Sequence, residues 1–159
     1  MVQISARADY ALRATCVLAA APADCVVKAD DIAAAQDVPR TFLDAILADL
    51  RRGGLVMSRR GPDGGHRLSR PATDITVADV VRVVDGPLAL IHGHRPETLA
   101  YRDPAAHLQD VWVAVRASLR AIMELTTVAD VVDGTLPVSV RAHTGDDRSW
   151  SSVWPPPGH

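Results

Sequence analysis

The chain has 159 residues, of which 48% are hydrophobic and 23% are charged, enough to bury the core of one domain or of one domain with an appendage. Its formal net charge is −2 at pH 7. No apolar run approaches the roughly eighteen residues of a membrane span, and Asp9 and Arg13 interrupt the only stretch placed for a signal peptide. We therefore expect a globular cytoplasmic protein. Its two cysteines, Cys16 and Cys25, favour reduced thiols over a disulfide framework.

Positive charge is concentrated in one segment. From Arg51 to Arg70 there are six arginines and one aspartate, a local balance of +5. Beyond residue 84, six arginines face nine acidic residues, a balance of −3. A basic patch on a chain that is otherwise neutral or acidic is typical of a DNA-binding element.

The first part of the chain predicts three short helices. Apolar residues at three- and four-residue steps predict a helix from Ser5, its N-cap, to about Ala20. A short extended piece at residues 25–27 precedes a second helix over 29–36, and Pro39 is expected in the first turn of a third.

The third helix is amphipathic. Its apolar stripe consists of Leu43, Ile46, Leu47 and Leu50. Its other faces carry Arg40, Thr41, Asp44, Ala48 and Arg51. Two short helices joined by a tight turn, the second with polar and basic side chains exposed, indicate a helix-turn-helix.

An arginine-rich hairpin follows directly. Residues 54–71, GLVMSRRGPDGGHRLSRP, place two apolar runs around a loop of glycine, proline and aspartate. With valines at helical spacing over 73–84, residues 1–84 read as one winged helix-turn-helix domain. We expect the fold to be mostly α with a small β-hairpin wing.

The rest of the chain predicts a connector, a long helix and a tail. Glycines and prolines interrupt residues 85–103, which we expect to form the connector. Residues 104–133 are expected to form a long helix followed by a short C-terminal helix. Asp103 and Pro104 resemble the cap and the first turn of the long helix. The apolar stripe of the long helix consists of Leu108, Val111, Trp112, Val115, Leu119, Ile122 and Met123. Such a stripe needs a partner surface, and we expect the same helix of a second copy to supply it. The alternative is that the stripe packs in a core within its own chain. The composition of residues 134–159 predicts a mobile tail.

These segments together resemble the IscR/NsrR/CymR-type winged-helix transcription regulators, the Rrf2 family. The blocks that carry the resemblance are ISARADYALR at 4–13, VPRTFL at 38–43, LRRGGLV at 50–56, RGPDGGHRL at 60–68, ITVADVV at 75–81 with DGP at 85–87, and VW at 111–112 with TVADVV at 127–132. The wing block is specific, whereas isolated helix-turn-helix patterns are not.

The resemblance implies a homodimer whose two heads grip successive major grooves of a pseudo-palindromic double-stranded operator. Arg59 or Arg60 would enter the minor groove, where the negative potential attracts arginine. The residues that would read bases in the major groove are Arg40, Thr41 and Asp44. Those that would contact phosphates are Arg51, Arg52 and Arg67. His66 stands where relatives usually have tyrosine, and it would pack against the wing or face a phosphate.

The connector departs from the family pattern. Many relatives hold an iron-sulfur cluster through three connector cysteines, but this connector has none, and Ala106 stands where the last cysteine would lie. We therefore expect no cluster. His92, His94 and His107 could hold a divalent metal or could be solvated side chains.

Three other residues have structural and functional interpretations. Asp9 matches a cluster-ligand position of nitric-oxide-sensing relatives but is expected to pair with Arg13. Cys16 is expected to pack as a small hydrophobic residue, and Cys25 is the better candidate for a reactive thiol.

The sequence thus predicts a dimeric DNA-binding transcription regulator, expected to be a repressor. The alternative is a regulator or interaction module controlled by a protein partner or a small metabolite at the connector. No catalytic constellation is evident, so we expect no enzyme.

Overall fold

The computed structural model describes residues 4–151, and the predicted tail residues 152–159 lie outside this range. Its α-helices, in chain order, are α1 (Ala6–Ala20), α2 (Ala29–Gln36), α3 (Arg40–Arg52), α4 (Val77–Asp85), α5 (Leu108–Met123), α6 (Val128–Asp133) and α7 (Val138–Thr144). The strands β1 (Val56–Arg59) and β2 (Gly65–Leu68) lie between α3 and α4. The predicted mostly helical fold with a β-hairpin wing is confirmed. Among the described residues, no helix combines the length and apolar character needed to span a bilayer.

Helix α1 lies at the centre of the N-terminal domain. It begins as predicted, because the Ser5 side-chain oxygen accepts a hydrogen bond from the Ala8 N–H at 2.9 Å. Its buried face is built from small residues, including Ala8, Ala11 and Ala14, which allow close approach of other helices. Helices α2, α3, α4 and α6 all pack against it.

The turn between α2 and α3 is tight because Asp37 adopts a left-handed conformation, with φ 51°. Pro39 is the N-cap of α3 and not a residue of its first turn: its ψ of 127° is extended, while its carbonyl accepts from the N–H groups of Phe42 and Leu43. The predicted stripe of α3 is fully buried and joins the core.

The wing is an antiparallel hairpin in which Val56 pairs with Leu68 and Arg59 with Gly65. Val27 adds an isolated β-bridge to this hairpin, since it exchanges two backbone hydrogen bonds of 2.8 Å with His66. A Cβ on Gly65 would lie 2.6 Å from the Val27 carbonyl oxygen, so only glycine fits at this position. The wing is thereby fixed to the loop between α1 and α2.

The starts of α4 and α5 differ in how well the sequence indicated them. Thr73 and Thr76 were both possible caps of α4, and the structure has Thr76, with α4 beginning at Val77 after a short 3₁₀ turn at Ala72–Asp74. Helix α5 begins at Leu108, so the cap predicted at Asp103 and Pro104 is wrong: residues 102–108 instead form two successive turns.

Helices α4 and α6 start in the same way and meet at their starts. Each has a capping box, formed by Thr76 with Asp79 and by Thr127 with Asp130. The two starts are joined by reciprocal backbone hydrogen bonds, from Val77 N–H to the Thr126 carbonyl at 2.9 Å and from Val128 N–H to the Ile75 carbonyl at 2.8 Å. We call this contact the threonine junction. It returns the chain after α5 to the N-terminal domain, where Val128 is 1% exposed.

The segment predicted as a tail contains secondary structure. Helix α7 packs against α5, and the Trp150 indole N–H donates to the Thr144 carbonyl at 2.8 Å from the 3₁₀ turn that follows. The composition of this segment did not indicate a helix.

Packing of α6 on α1 predicts unequal effects for two identical substitutions. Val128→Ala should lower the free energy of unfolding by about 1 to 3 kcal/mol, because it leaves a cavity in the core. Val131→Ala, on the same helix but 44% exposed, should change it by less than about 0.5 kcal/mol. Urea unfolding at one protein concentration measures both, and equal effects would show that α6 is not anchored in the core.

Candidate nucleic-acid interface

The outer face of α3 presents the side chains predicted to read DNA. Arg40, Thr41, Asp44 and Arg51 are all exposed, whereas the opposite stripe of the helix is buried. The N-terminal end of α3 is therefore open to solvent. A helix held by one face in this way can enter a major groove with the other.

Arg40 is held by two carboxylates in the free protein. Its Nε donates to Asp30 Oδ1 at 2.8 Å, and its Nη1 pairs with Asp44 one turn further along α3. The pKa of Arg40 is raised first by Asp44 and then by Asp30. These pairs are exposed and so contribute little stability, which leaves the guanidinium able to exchange them for a base edge. The sequence did not indicate the contact with Asp30, because that residue lies on α2 and only the fold brings it to Arg40.

The last turn of α3 has one paired and one unpaired arginine. Arg52 pairs with Asp49, a largely buried carboxylate that also pairs with Arg7 of α1. Arg51 makes no ion pair within residues 4–151. Arg51 is thus the better placed of the two for a DNA phosphate, while Arg52 also ties α3 to α1 through Asp49.

The wing arginines differ in the same way. Arg59 and Arg60 are exposed at the hairpin tip and have no ion-pair partner in the described part of the chain. Arg67 lies on β2 and pairs with the exposed Asp24 at 3.2 Å. No carboxylate of the described residues therefore holds either tip arginine, although Asp63 lies in the same loop, and free arginines of this kind suit a minor-groove contact.

His66 lies where the wing meets α3. Its Nδ1 is 3.0 Å from the hydroxyl oxygen of Ser58 on β1, and its backbone pairs with Val27. Burial lowers the pKa of His66, and the positive charges of Arg40 and Arg51 lower it further. Asp44 acts in the opposite direction, so the imidazole lies close to the charged side chains of α3, and the wing and the exposed face of this helix lie side by side on one surface.

An aromatic pair lies beside this surface and was not singled out from the sequence. Tyr10 and Phe42 have ring centroids 6.2 Å apart, and Phe42 is 58% exposed in the first turn of α3. Arg13 lies over the Tyr10 ring at 5.7 Å and pairs with Asp9 at 2.6 Å, which confirms the predicted Asp9 pair. The contact supports the N-terminal end of α3 on α1.

The structure does not bring the connector histidines together. Within residues 4–151, no group of three or more histidine, cysteine, aspartate or glutamate side chains is arranged to hold a metal ion. His107 lies 3.4 Å from Asp110, while His92 and His94 are exposed in a separate turn. The predicted metal candidates thus have no common centre.

The two cysteines lie outside the connector. Cys16 is half-buried on α1, and burial raises the pKa of its thiol, in line with a packing role. Cys25 is exposed in the loop before α2.

The predicted stripe of α5 divides into two parts. Val111 and Val115 are 51% and 36% exposed. Leu119 and Met123 line a groove of the same chain with Val81 of α4. Their place in a dimer interface stays a prediction. Leu108, Trp112 and Ile122 are half-buried.

Comparison with protein families and known proteins agrees with this geometry. The family model described as Rrf2, iron-dependent transcriptional regulator, matches residues 4–134. The HTH-type transcriptional regulator Rv1287 of Mycobacterium tuberculosis (strain H37Rv) is 48% identical over 152 residues, which cover 96% of this chain and 94% of the relative.

Two solved structures are similar in fold and sequence. CymR (YrzC), the global cysteine regulator of Bacillus subtilis, superimposes with a TM-score of 0.72 at 26% identity, covering 84% of this chain and 98% of CymR. T. potens IscR superimposes with a TM-score of 0.68 at 28% identity, covering 84% of this chain and 88% of IscR.

The family description and the name of the mycobacterial relative denote regulators and not enzymes. The recognition helix, the arginine wing and the match over residues 4–134 lead to one conclusion. The chain belongs to the Rrf2 family of DNA-binding transcriptional regulators.

Proposed function

We propose that the protein is a homodimeric, sequence-specific repressor that works without an iron-sulfur cluster. The observation that carries the proposal is the exposed face of α3, followed directly in the chain by a wing whose tip presents Arg59 and Arg60 to solvent. Two such surfaces related by a two-fold axis would fit a pseudo-palindromic operator. A dimer bound across a promoter would compete with the transcription machinery, which supports repression.

Within each head, we assign three roles to the exposed side chains. Arg40, Thr41 and Asp44 lie in the first half of α3, and we assign them to base edges, where arginine and aspartate have distinct hydrogen-bond partners. Arg51, with no ion pair among the described residues, fits a phosphate. Arg59 and Arg60 at the wing tip fit the minor groove.

The wing assignment predicts a loss of salt-dependent binding. Replacing Arg59 and Arg60 together by alanine should weaken binding about tenfold or more and reduce the slope of log K against log salt by about 2, because fewer counterions are released. The measurement is fluorescence anisotropy over a salt series, with a DNA fragment that the unmodified chain selects from a random pool.

Arg102→Ala with Arg141→Ala is the matched control, since both side chains are exposed and lie outside the wing and α3. This control should retain the unmodified affinity and slope. If the wing variant kept both as well, the wing would not contact DNA.

The dimer is supported by the part of α5 that its own chain leaves uncovered. Val111 and Val115 lie one turn apart on the same face of the helix, and both are exposed. Antiparallel pairing of two such faces about a two-fold axis would bury them and hold two heads at a fixed spacing.

Charge on this face should dissociate the dimer. Val111→Glu with Val115→Glu would bury two carboxylates against apolar groups, so we expect a monomer with weakened operator binding. Ala117→Glu, an exposed position on the opposite side of α5, should remain dimeric. Size-exclusion chromatography with light scattering distinguishes the species, and an unmodified chain that runs as a monomer would contradict the proposal.

The absence of a cluster is supported by the available donors. The family description implies iron, but the connector has no cysteine. Its histidines do not converge on one point in the described residues. Cys16 lies on α1 and Cys25 in the loop before α2, so neither belongs to the connector. Iron-sulfur clusters depend on thiolate ligands, so the residues present do not fit one.

Protein purified without oxygen should therefore show no visible charge-transfer absorbance and no stoichiometric iron or acid-labile sulfide. Visible absorbance that disappears in a variant lacking both cysteines, Cys16→Ala with Cys25→Ala, would overturn this part of the proposal. A matched preparation of a cluster-bearing relative is the positive control for the purification.

A further inference from the structure

Four arginines converge on one cavity where the connector meets α5. The cavity has a volume of about 240 Å³. It is lined by Arg82 of α4, Arg95 and Glu97 of the connector, Arg116 and Arg120 of α5, and the apolar residues Pro87, Leu88 and Leu90. We call it the arginine pocket.

Two glutamates neutralise part of this charge. Glu97 pairs with Arg116, and Glu124 pairs with both Arg82 and Arg120, the latter at 2.9 Å. The pKa of Glu124 is lowered first by its hydrogen bond from Arg120 and then by that from Arg82. The pKa of Glu97 is also lowered, first by its own backbone N–H and further by Arg116. Both carboxylates are therefore ionised at neutral pH.

The charges do not balance. Four guanidinium groups against two carboxylates leave a charge of +2 around the cavity. Arg95 has no ion-pair partner within the described residues, although its charge acts on Glu97. Each guanidinium has five N–H donors, and the two glutamates have too few oxygens to occupy them all.

The setting strengthens binding of an anion. The Arg116 side chain is 18% exposed, so its charge is only partly screened by water. Pro87, Leu88 and Leu90 form an apolar part of the wall of the cavity. Arginine forks match the paired oxygens of carboxylate and phosphate groups.

We propose that the arginine pocket binds a small dianion, either a dicarboxylate or a phosphate, through Arg95, Arg116 and Arg120. A charge of −2 would balance the pocket, and its volume suits a molecule of a few non-hydrogen atoms. No wing or α3 residue lines the cavity, so the arginine pocket is separate from the proposed DNA-binding surface.

Calorimetric titration of the full chain with sodium malonate and, separately, with inorganic phosphate tests the proposal. Sodium chloride at matched ionic strength is the blank. We expect saturable binding of at least one of the two, at one site per chain. The tighter ligand identifies the preferred oxygen arrangement, and the absence of saturable heat with both overturns the proposal.

Single substitutions should act in opposite directions. Arg95→Gln and Arg120→Gln should each weaken binding about tenfold, because each removes a charge-assisted hydrogen bond. Glu124→Gln should strengthen binding, because it removes a competing carboxylate from Arg82 and Arg120. An unchanged affinity in Arg95→Gln would overturn the assignment, and this variant breaks no ion pair of the described chain that could cause unfolding.

Two further measurements separate the pocket from general surface charge. Arg102→Gln, exposed in the same connector but outside the cavity, should bind the anion as the unmodified chain does. DNA binding by Arg95→Gln, measured without added anion, should be unchanged. A loss of DNA binding in that variant would place this cluster on nucleic acid and overturn the proposal.

Discussion

The threonine junction is the contact on which the relation between the two halves of the molecule depends. Two backbone hydrogen bonds join the starts of α4 and α6, and both starts are fixed by their own capping boxes. Because α5 runs between these two helices, its C-terminal end is held against the DNA-binding head. Val128 then enters the core built around α1. A head that could rotate freely on α5 would not keep a fixed spacing to a second head.

Electrostatics gives the chain two basic surfaces despite its negative net charge. On the proposed DNA-binding surface, Arg59 and Arg60 have no carboxylate partner within residues 4–151, while Asp30 and Asp44 hold Arg40 in the free protein. In the arginine pocket, glutamates neutralise only part of the charge. Both surfaces are built from arginine side chains, but the arginines of the wing tip are exposed to solvent, whereas Arg116 of the pocket is largely shielded from it.

Sequence reasoning succeeded where structure is local. The stripe of α3, the Ser5 cap and the wing were predictable because each follows from residues close in the chain. The pairing of Arg82 with Glu124 and of Arg7 with Asp49 was not predictable, since each joins segments that only the tertiary fold brings together. The start of α5 was misplaced because an aspartate followed by a proline is also typical of a simple turn. Helix α7 was missed because it is short and its segment is rich in turn-forming residues.

The backbone bridge between Val27 and His66 makes the position of the wing depend on the loop between α1 and α2. Val27 belongs to the loop between α1 and α2, far from the wing in sequence, and its backbone sets where β2 lies. An insertion or deletion in that loop would therefore tilt the hairpin and move its arginines relative to α3. Operator preference could then change by geometry alone, with every DNA-contacting side chain conserved.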